Sequence, residues 1–375
     1  TKSDSNDFHL WYSSPCIDAG DPCSDCSKEP SGGGGRIDIG AYGNTAEATT
    51  IIDQDNDGIS DAWELDHYLN PNDANDALQD MDGDGLRNID EYYIKWEPND
   101  ANTYDGIVHI DRIDTNYPDI NYPSIGMAMT CAFNGDRLIA EPNKTFNENI
   151  NFNGKPVTLR STEPNDPNVV ANTIIKGESL SQDVIDFTSQ DTNCVLEGMT
   201  ITHGYYGIHY NLSSQPVVTK CRIIKNASHG IYTYNCSPNI ADCTIEDNNS
   251  CGLYLYAGSP TISGCRVIKN HSYGVWAVGN CTSTIRNCVV AKNVSYGAYL
   301  NTNTTYRLSI INCTIFGNTT YGICGYASQV TNCILWGNDD DLNLWGSPVP
   351  TATYSCIEDQ DTGTGNIHSN PMFMN

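Results

Sequence analysis

Short segments in which every second residue is apolar recur about every 22 residues between residues 194 and 356. The clearest copies read KCRIIKNASHGIY, DCTIEDNNSCGLY, GCRVIKNHSYGVW, NCVVAKNVSYGAY and NCTIFGNTTYGIC. Alternation with period two on either side of an Asn/Gly turn predicts short strands rather than helices. A fixed period of this length predicts a solenoid, and it suits one turn of a β-coil better than a pair of helices.

Stacked coils would place equivalent residues above one another, about 4.8 Å apart, in columns that face the interior. One column is made of cysteines: Cys221, Cys243, Cys265, Cys288, Cys313 and Cys333, with Cys356 as a weaker seventh. Two residues later on the same strand face come Ile223, Ile245, Val267, Val290, Ile315 and Leu335. The next inward strand is marked by Ile231, Leu253, Val275, Ala298 and Ile323. We interpret the cysteines as small buried hydrophobic residues, although the Cα spacing leaves disulfides between rungs open.

The repeats and the sequence before them resemble right-handed parallel β-helix proteins of the pectin-lyase-like class. Residues 117–160 resemble the capping helix and first coils of such domains, and residues 166–204, ending in NCVLEGMTITHG, resemble the next coils. Asn121–Tyr122 and Asn143–Lys144 depart from that pattern. The resemblance implies an all-β solenoid, a right-handed parallel β-helix over residues 105–375. It does not imply one activity, because this fold is found in lyases, hydrolases, adhesins and structural proteins.

Two twelve-residue segments, 53–64 and 80–91, match the EF-hand calcium loop. Oxygen-bearing side chains fall at positions 1, 3, 5, 9 and 12, a glycine stands at position 6, and a backbone carbonyl serves position 7. The ligands predicted in this way are Asp53, Asp55, Asp57, Ile59, Asp61 and Glu64 in the first loop, and Asp80, Asp82, Asp84, Leu86, Asn88 and Glu91 in the second. An acidic linker without metal would not explain both glycines and both terminal glutamates. The sequence therefore predicts two structural calcium ions.

Each loop continues into a short amphipathic stretch, SDAWELDHYL or LRNIDEYYIKW, which predicts a short helix. The segment as a whole resembles the dockerin-like and thrombospondin-type-3-like calcium linkers of bacterial surface proteins. This resemblance implies a structural role, and we expect calcium to stiffen the junction between two β-helical blocks. The predicted domains are therefore a closing-coil segment at 1–50, a two-loop calcium module at 51–104 and a β-helix at 105–375.

Charge and composition indicate where the protein works. The net charge is −27 and the pI is about 4.3, and most of the acidic excess lies before residue 120. Nucleic-acid binders need basic patches, so this balance argues against such a partner. No apolar run is long enough to span a membrane. Abundant Asn, Thr, Ser, Tyr and Gly with few lysines predict an extracellular or cell-surface protein of bacterial origin.

The two ends of the sequence do not match one self-contained domain. Residues 1–45 contain DFHLWYSSPCIDAGDP and RIDIGAYGN, which resemble the closing coil of a β-helix, whereas the last residues resemble the phrase that normally precedes it. The chain could be one period of a tandem polypeptide, or residues 1–45 could complete the open end of a neighbouring subunit. Both alternatives predict head-to-tail filaments. Cys16, Cys23 and Cys26 lie in this segment, where a local disulfide is favoured over a metal site.

Two outward-facing columns are candidate binding or modification sites. An aromatic column contains His209, Tyr232, Tyr254, Trp276 and Tyr299, with His229, Tyr273, Tyr296 and Tyr321 on the turn before it. It predicts either a sugar-stacking surface or a ladder that only stabilises the strands. The glycosylation candidates are the sequon asparagines Asn143, Asn211, Asn226, Asn235, Asn248, Asn270, Asn280, Asn293, Asn303, Asn312 and Asn318. Five of these form the turn column, where asparagines of β-helices also stack internally.

The sequence contains no recognisable catalytic constellation. No two acids recur on neighbouring rungs beside a basic residue, and the run Asp339, Asp340, Asp341 falls in one predicted turn. The favoured function is a calcium-rigidified structural protein that assembles with copies of itself. The alternative is a polysaccharide-binding adhesin or a polysaccharide lyase or hydrolase.

Overall fold

The computed structural model describes residues 53–373 except for 84–85, 95–96, 100–107, 112–119, 189–190, 192, 213, 303–304, 306–307 and 347–350. The predicted closing-coil segment at 1–50, the predicted ligand Asp84 and the sequon at Asn303 lie outside these residues. The chain divides after residue 104 into two compact units, which are described separately.

The described part of the first unit contains two short helices, each of which begins within a predicted loop. Helix α1 spans Asp61–Asp66, and the hydroxyl of Ser60 caps it by accepting a hydrogen bond from the amide of Trp63 at 3.3 Å. Helix α2 spans Asn88–Ile94. A small apolar cluster packs between them and contains Ile59, Leu69, Ala77 and Ile89, with Trp63 and Tyr92 against it. Both predicted helices are present.

The second unit is a parallel β-helix made of three long sheets. Sheet A has 12 strands. In spatial order they are Ile120–Tyr122, Val108–Asp111, Arg137–Ala140, Thr158–Ser161, Val195–Glu197, Val217–Thr219, Asn239–Ala241, Thr261–Ser263, Thr284–Arg286, Leu308–Ile311, Ala327–Thr331 and Ala352–Thr353. Its strands pair in parallel except at Val108–Asp111, which is antiparallel to both of its neighbours.

Sheets B and C complete each coil. Sheet B has ten strands: Lys144–Asn147, Thr173–Lys176, Thr200–Thr202, Arg222–Ile224, Thr244–Glu246, Arg266–Ile268, Val289–Ala291, Thr314–Phe316, Ile334–Trp336 and Cys356–Ile357. Sheet C has nine: Ile150–Asn151, Ile185–Phe187, Ile208–Tyr210, Ile231–Tyr234, Leu253–Gly258, Val275–Cys281, Ala298–Asn301, Tyr321–Gly325 and Asp340–Leu344. The chain visits the sheets in the order A, B, C, which gives an all-β solenoid of about ten turns.

Two helices lie within the described residues of the β-helical unit. Helix α3, Ile125–Cys131, begins at Ser124, whose hydroxyl accepts from the amide of Met127 at 3.1 Å, and it falls where the sequence predicted a capping helix. The carboxylate of Glu148 accepts hydrogen bonds from the first two amides of this helix. Helix α4, Pro167–Asn172, interrupts a coil between sheets A and B and is capped by Asp166. No helix among the described residues has the length and apolar character that a membrane span requires.

The predicted inward columns form the core. Ile223, Ile245 and Val267 pair in register on adjacent strands of sheet B and are fully buried. The column of Ile231, Leu253 and Val275 does the same in sheet C. Regular coils therefore stack like on like, as the 22-residue period predicted.

The cysteine column is buried and its thiols are free from Cys221 to Cys333. Each sulfur lies close to the carbonyl two residues earlier; for Cys243 the acceptor is the carbonyl of Ala241, at 3.1 Å. Burial raises the pKa of the Cys243 thiol well above its ordinary value. The structure therefore agrees with the interpretation of these cysteines as small buried residues whose thiols are weak hydrogen-bond donors.

The turn glycine of each repeat is required by close approach of the next coil. A Cβ on Gly252 would lie 2.4 Å from a methyl group of Val267 and 2.8 Å from the carbonyl oxygen of Gly274. No side chain fits there without moving the backbone, which explains why glycine recurs at this place in the repeat.

Candidate functional site

The first loop has the hydrogen-bonded turn that the EF-hand pattern predicted. The carboxylate of Asp53 accepts from the amides of Asp57 at 3.2 Å and Gly58 at 3.0 Å, and Oδ1 of Asp57 accepts from the amide of Ile59 at 2.8 Å. Gly58 has φ of 97°, a conformation that favours glycine. As a result, carboxylate oxygens of Asp53, Asp55 and Asp57 converge to within 4.8 Å of one another.

Several carboxylate oxygens of this loop are hidden from solvent and lack hydrogen-bond donors among the described residues. Both oxygens of Glu64, which is 0% exposed, accept no hydrogen bond, and the same holds for both oxygens of Asp55 and for Oδ2 of Asp57. Burial, reinforced by the neighbouring carboxylates, raises the pKa of Glu64 to about 8 and that of Asp57 to about 6. Buried carboxylates without donors are costly, whereas a calcium ion takes six to eight oxygen ligands. The residues present fit calcium.

A carboxylate outside the twelve-residue loop joins this group. Carboxylate oxygens of Asp76, Asp57 and Glu64 lie within 4.8 Å of one another. Asp76 is 8% exposed; its Oδ2 accepts from the amide of Asn70 at 2.6 Å, while Oδ1 accepts no hydrogen bond from the described residues. The EF-hand pattern does not include this position, so sequence analysis missed it.

Asp61 and Ile59, the other predicted ligands of the first loop, lie outside these carboxylate groups. Oδ1 of Asp61, at position 9, accepts from the amide of Gln54 at 2.8 Å, and Asp61 belongs to neither carboxylate group found among the described residues. Position 9 of such loops often acts through water. Ile59 is fully buried at the turn, where its side chain belongs to the apolar cluster.

In the second loop, Oδ1 of Asp80 accepts from the amide of Gly83 at 2.7 Å, and Glu91 and Leu86 are 0% exposed. Asn88, the predicted ligand at position 9, donates through Nδ2 to the carbonyl of Asp76 at 2.7 Å, and its Oδ1 accepts from the amide of Met81 at 3.3 Å. Its side chain therefore ties the second loop to the segment that carries Asp76.

In the second unit, the outward aromatic residues of sheet C stack on one another. The rings of Tyr232 and Tyr254 are 5.1 Å apart and 6° from parallel, and those of Tyr273 and Tyr296 are 5.2 Å apart and 7° from parallel. Tyr254 meets Trp276 edge to face at 4.9 Å. Parallel neighbours cover each other's faces, and these rings are half-buried. This geometry favours a strand-stabilising ladder over a sugar-stacking platform.

A cluster that sequence analysis missed lies at the start of this aromatic column. Nδ1 of His209 is 3.0 Å from Oδ2 of Asp183 and 3.3 Å from Oδ1 of Asp186, and the ring of Tyr206 lies against it at 5.7 Å. Hydrogen bonds to the two carboxylates outweigh burial and raise the pKa of His209 to about 9. Asp186 lies on the coil before His209 and pairs with it in register. An alignment of the segments IDF and IHY would have revealed this pair from the sequence.

The turn asparagines form an internal ladder. Asn226, Asn248, Asn270, Asn293 and Asn318 are at most 1% exposed, and each amide donates to the Oδ1 of the next asparagine at 2.9–3.0 Å. A glycan on any of these nitrogens would have to break that bond and leave the coil. This corrects the expectation that these five sequons lie on the surface. Asn143, Asn235, Asn280 and Asn312 are exposed and Asn211 is half-buried, so glycosylation at these positions stays a prediction.

A cleft of about 390 Å³ opens where α4 lies over the corner between sheets A and B. It is lined by Pro164, Asn165, Pro167, Val170, Lys220, Cys221, Arg222, Asp242 and Thr244. Nζ of Lys220 donates to Glu197 at 2.8 Å, and Nε of Arg160 is 3.9 Å from the same carboxylate. Concave sites of this size with a few polar groups are typical of small-ligand binding.

A family model described as "Right handed beta helix region" matches residues 143–290. This chain contains a right-handed parallel β-helix. No curated protein matches the sequence.

The β-helix is similar to several solved structures. The pectate lyase Pel9A is 15% identical, with a TM-score of 0.52, over 68% of this chain and 75% of that chain. An alginate lyase from Paenibacillus sp. str. FPU-7 is 15% identical over 59% of this chain and 94% of that chain, with a TM-score of 0.37. ORF18 of Geobacillus virus E2 is 16% identical over 60% and 49%, with a TM-score of 0.35. At these identities the likeness to the pectate lyase shows the fold alone.

Proposed function

We propose that this chain is an extracellular β-helix protein that binds an acidic polysaccharide. The cleft beside α4 supports this proposal, because it places the cations of Lys220 and Arg222 beside a small apolar wall. Cations that line a concave site suit a carboxylate-bearing sugar better than a neutral one. The proposal takes up the alternative from the sequence, with the cleft as the site in place of the aromatic column.

The groups around the cleft suit the recognition of a sugar acid. Glu197 is 19% exposed and holds the ammonium of Lys220 in place, so this donor is oriented before a ligand arrives. The guanidinium of Arg222 can bind a carboxylate through two parallel hydrogen bonds. Asp242 and Asn165 offer acceptors for sugar hydroxyls, and Pro164, Pro167 and Val170 offer an apolar surface to a sugar ring.

The test is calorimetric binding of short polyuronate and neutral glucan oligomers to the full chain. We expect polyuronate to bind and neutral glucan not to, with affinity that falls as salt rises. Arg222→Gln should weaken binding about tenfold or more, as expected for a lost charge-assisted hydrogen bond. Lys225→Gln removes an exposed lysine outside the cleft lining and should leave binding unchanged. Equal binding of both oligomers, or equal effects of both variants, would refute the proposal.

Binding alone does not imply turnover. The sequence favoured a protein without catalysis, and we propose no reaction at the cleft. Incubation of the protein with the same polyuronates, monitored for unsaturated products, would show whether the protein also has lyase activity.

A second proposed function is calcium binding by the first loop, in a structural role. The orphaned, fully buried carboxylate of Glu64 and the convergent carboxylates of Asp53, Asp55 and Asp57 support it. An ion held there by these residues would neutralise a cluster of buried negative charge and fix the start of α1. We expect the second loop to bind a second ion.

The calcium proposal is tested on the whole chain by calorimetry and by chelation. Calcium should bind, and a chelator should lower the melting temperature of the first unit and speed proteolysis of residues 53–99. If chelation leaves both unchanged, the proposed structural role of calcium is wrong, and the proposal for the cleft is unaffected. Head-to-tail assembly and an extracellular, bacterial location remain predictions from the sequence.

A further inference from the structure

We propose that Asp76 is a ligand of the first calcium site, supplied from outside the twelve-residue loop, and that through Asn88 it couples this site to the second loop. The inference rests on the proposed calcium binding, which it deepens.

The position of Asp76 is the first argument. Its carboxylate lies within 4.8 Å of the oxygens of both Asp57 and Glu64, at positions 5 and 12 of the loop. Asp57 belongs also to the group formed with Asp53 and Asp55, so Asp76 extends one continuous set of oxygens. An ion bound at the loop would be within reach of this additional carboxylate.

The hydrogen bonding of Asp76 is the second argument, and it is independent of the clustering. The side chain is more than nine-tenths buried, and one oxygen is held by the amide of Asn70. The other oxygen, Oδ1, has no donor among the described residues. A buried carboxylate that is oriented on one side and unpartnered on the other costs stability unless a cation completes it.

The backbone of the same residue carries the coupling. The carbonyl of Asp76 accepts from Nδ2 of Asn88, whose Oδ1 accepts from the amide of Met81 in the second loop. Beside this link, the amide of Ile89 donates to the carbonyl of Ala77 at 3.0 Å, and both side chains belong to the apolar cluster. Fixing Asp76 on an ion therefore fixes the segment against which the second loop forms.

This coupling affects how the two ions bind. The first ion would order part of the second site before the second ion arrives, so that the second ion loses less conformational entropy on binding. We expect two calcium ions to bind with positive cooperativity.

The test uses the full chain and terbium as a calcium probe, with luminescence sensitised by Trp63, which lies inside the first loop. Asp76→Asn keeps the shape and the acceptor for Asn70 but removes the charge. It should weaken binding at the first loop about tenfold or more. Asp73→Asn removes the same charge from the same segment at a residue outside the carboxylate groups, and it should change affinity less than twofold.

Asn88→Ala tests the coupling. Because Asn88 is also the predicted position-9 ligand of the second loop, the coupling predicts that the variant still binds two ions but with a Hill coefficient near one, where the wild-type chain shows a value above one. Loss of the second ion altogether would make Asn88 a ligand of the second site and refute the coupling through it. The near-ultraviolet circular dichroism of Trp63 in excess calcium would show that each variant is folded, and an Asp76→Asn protein that does not reach the wild-type signal is replaced by Asp76→Ser.

The outcomes separate the two proposals. If the wild-type chain binds neither calcium nor terbium, the proposed calcium function and this inference both fail. If the wild type binds but folded Asp76→Asn binds as tightly as Asp73→Asn, calcium binding stands and Asp76 is not a ligand. If Asp76→Asn weakens binding but wild-type binding is not cooperative, the coupling through Asn88 is wrong.

Discussion

The side-chain amide of Asn248 donates to Oδ1 of Asn270 at 3.0 Å, and the amide of Asn270 donates in turn to Oδ1 of Asn293 at the same distance. The side-chain amide of Asn270 also donates to the carbonyl of Ile245 on the preceding coil. One side chain therefore satisfies buried backbone and side-chain groups on three successive turns. Buried polar ladders of this kind are stabilising only while each member is satisfied.

Replacing a single member should therefore be costly. Asn270→Ala removes the oxygen that accepts from both the backbone and the side-chain amide of Asn248, together with a donor to the carbonyl of Ile245. We expect it to destabilise the β-helix by roughly 2–4 kcal/mol. Urea unfolding measures the change. Asn280→Ala, at an exposed sequon in the next strand of the same coil, is the control and should change stability by less than about 0.5 kcal/mol. Equal effects would show that the ladder does not stabilise the fold.

The repeat could be predicted from the sequence because each coil repeats the same local pattern. A cysteine and an aliphatic residue two positions apart, such as Cys243 and Ile245, occupy one strand face in every copy, so the pattern predicts both the strands and their register. The EF-hand pattern likewise indicated the turn at Gly58, and the amphipathic stretches that follow the loops indicated both helices.

Three elements could not be predicted in that way. Asp76 joins the loop carboxylates through tertiary folding, at a spacing outside the EF-hand pattern. The cleft depends on α4, a helix that interrupts the repeat, so the periodicity of the sequence carries no information about the cleft. The contact of Asp183 with His209 bridges two coils from a turn, where the alignment of strands does not place residues.

The aromatic column should contribute to stability rather than to the proposed saccharide binding. Tyr254 stacks on Tyr232 and His229 and meets Trp276 edge to face. Because each aromatic pair adds roughly 0.5–1.5 kcal/mol, Tyr254→Ala should lower the free energy of unfolding by roughly 2–4 kcal/mol. Polyuronate binding, measured by calorimetry below the melting temperature, should be unchanged. Loss of binding by a folded Tyr254→Ala protein would assign the saccharide to this column instead.

The His209 cluster should make stability depend on pH. The pKa of His209 is raised from 6.5 to about 9 by Asp183 and Asp186, while Tyr206 and Tyr232 pack against its ring. A folded pKa above the unfolded one gives a contribution that is fully present below about pH 6.5 and lost as pH rises through about 9.

The melting temperature of His209→Gln should therefore fall below that of the wild type by several degrees at pH 6 and approach it at pH 10. His271→Gln, in which the lost histidine is 52% exposed beside Asp247, should show no such trend. A difference that is the same at both pH values would show that the imidazolium is not stabilised by this pair.

The cysteine column should be inert towards thiol reagents while the coil is folded. Cys243 and Cys265 are at most 1% exposed, so a reagent in solution cannot reach either sulfur while the coil is folded. Ellman's reagent should label neither residue in the native protein within hours, and both should react rapidly in denaturant. Cys356, which is half-buried in the last strand of sheet B, is the internal control and should react before Cys243 and Cys265. Rapid native labelling of Cys243 would show that the coils open; if denaturation released no thiols, the rungs would instead be joined by disulfides.

Head-to-tail assembly, the favoured function from the sequence, makes a prediction that any preparation of the native protein can test. If residues 1–45 complete the β-helix of the next subunit, negative-stain micrographs in calcium should show filaments whose length increases with protein concentration. Deletion of residues 1–45 should leave the β-helix folded by circular dichroism and abolish the filaments, because a heterologous contact propagates only while both of its surfaces are present. Isolated particles at all concentrations in calcium would reject assembly. Such particles would leave polysaccharide binding at the α4 cleft as the remaining proposal for the β-helix, because that cleft is formed entirely by residues of one chain.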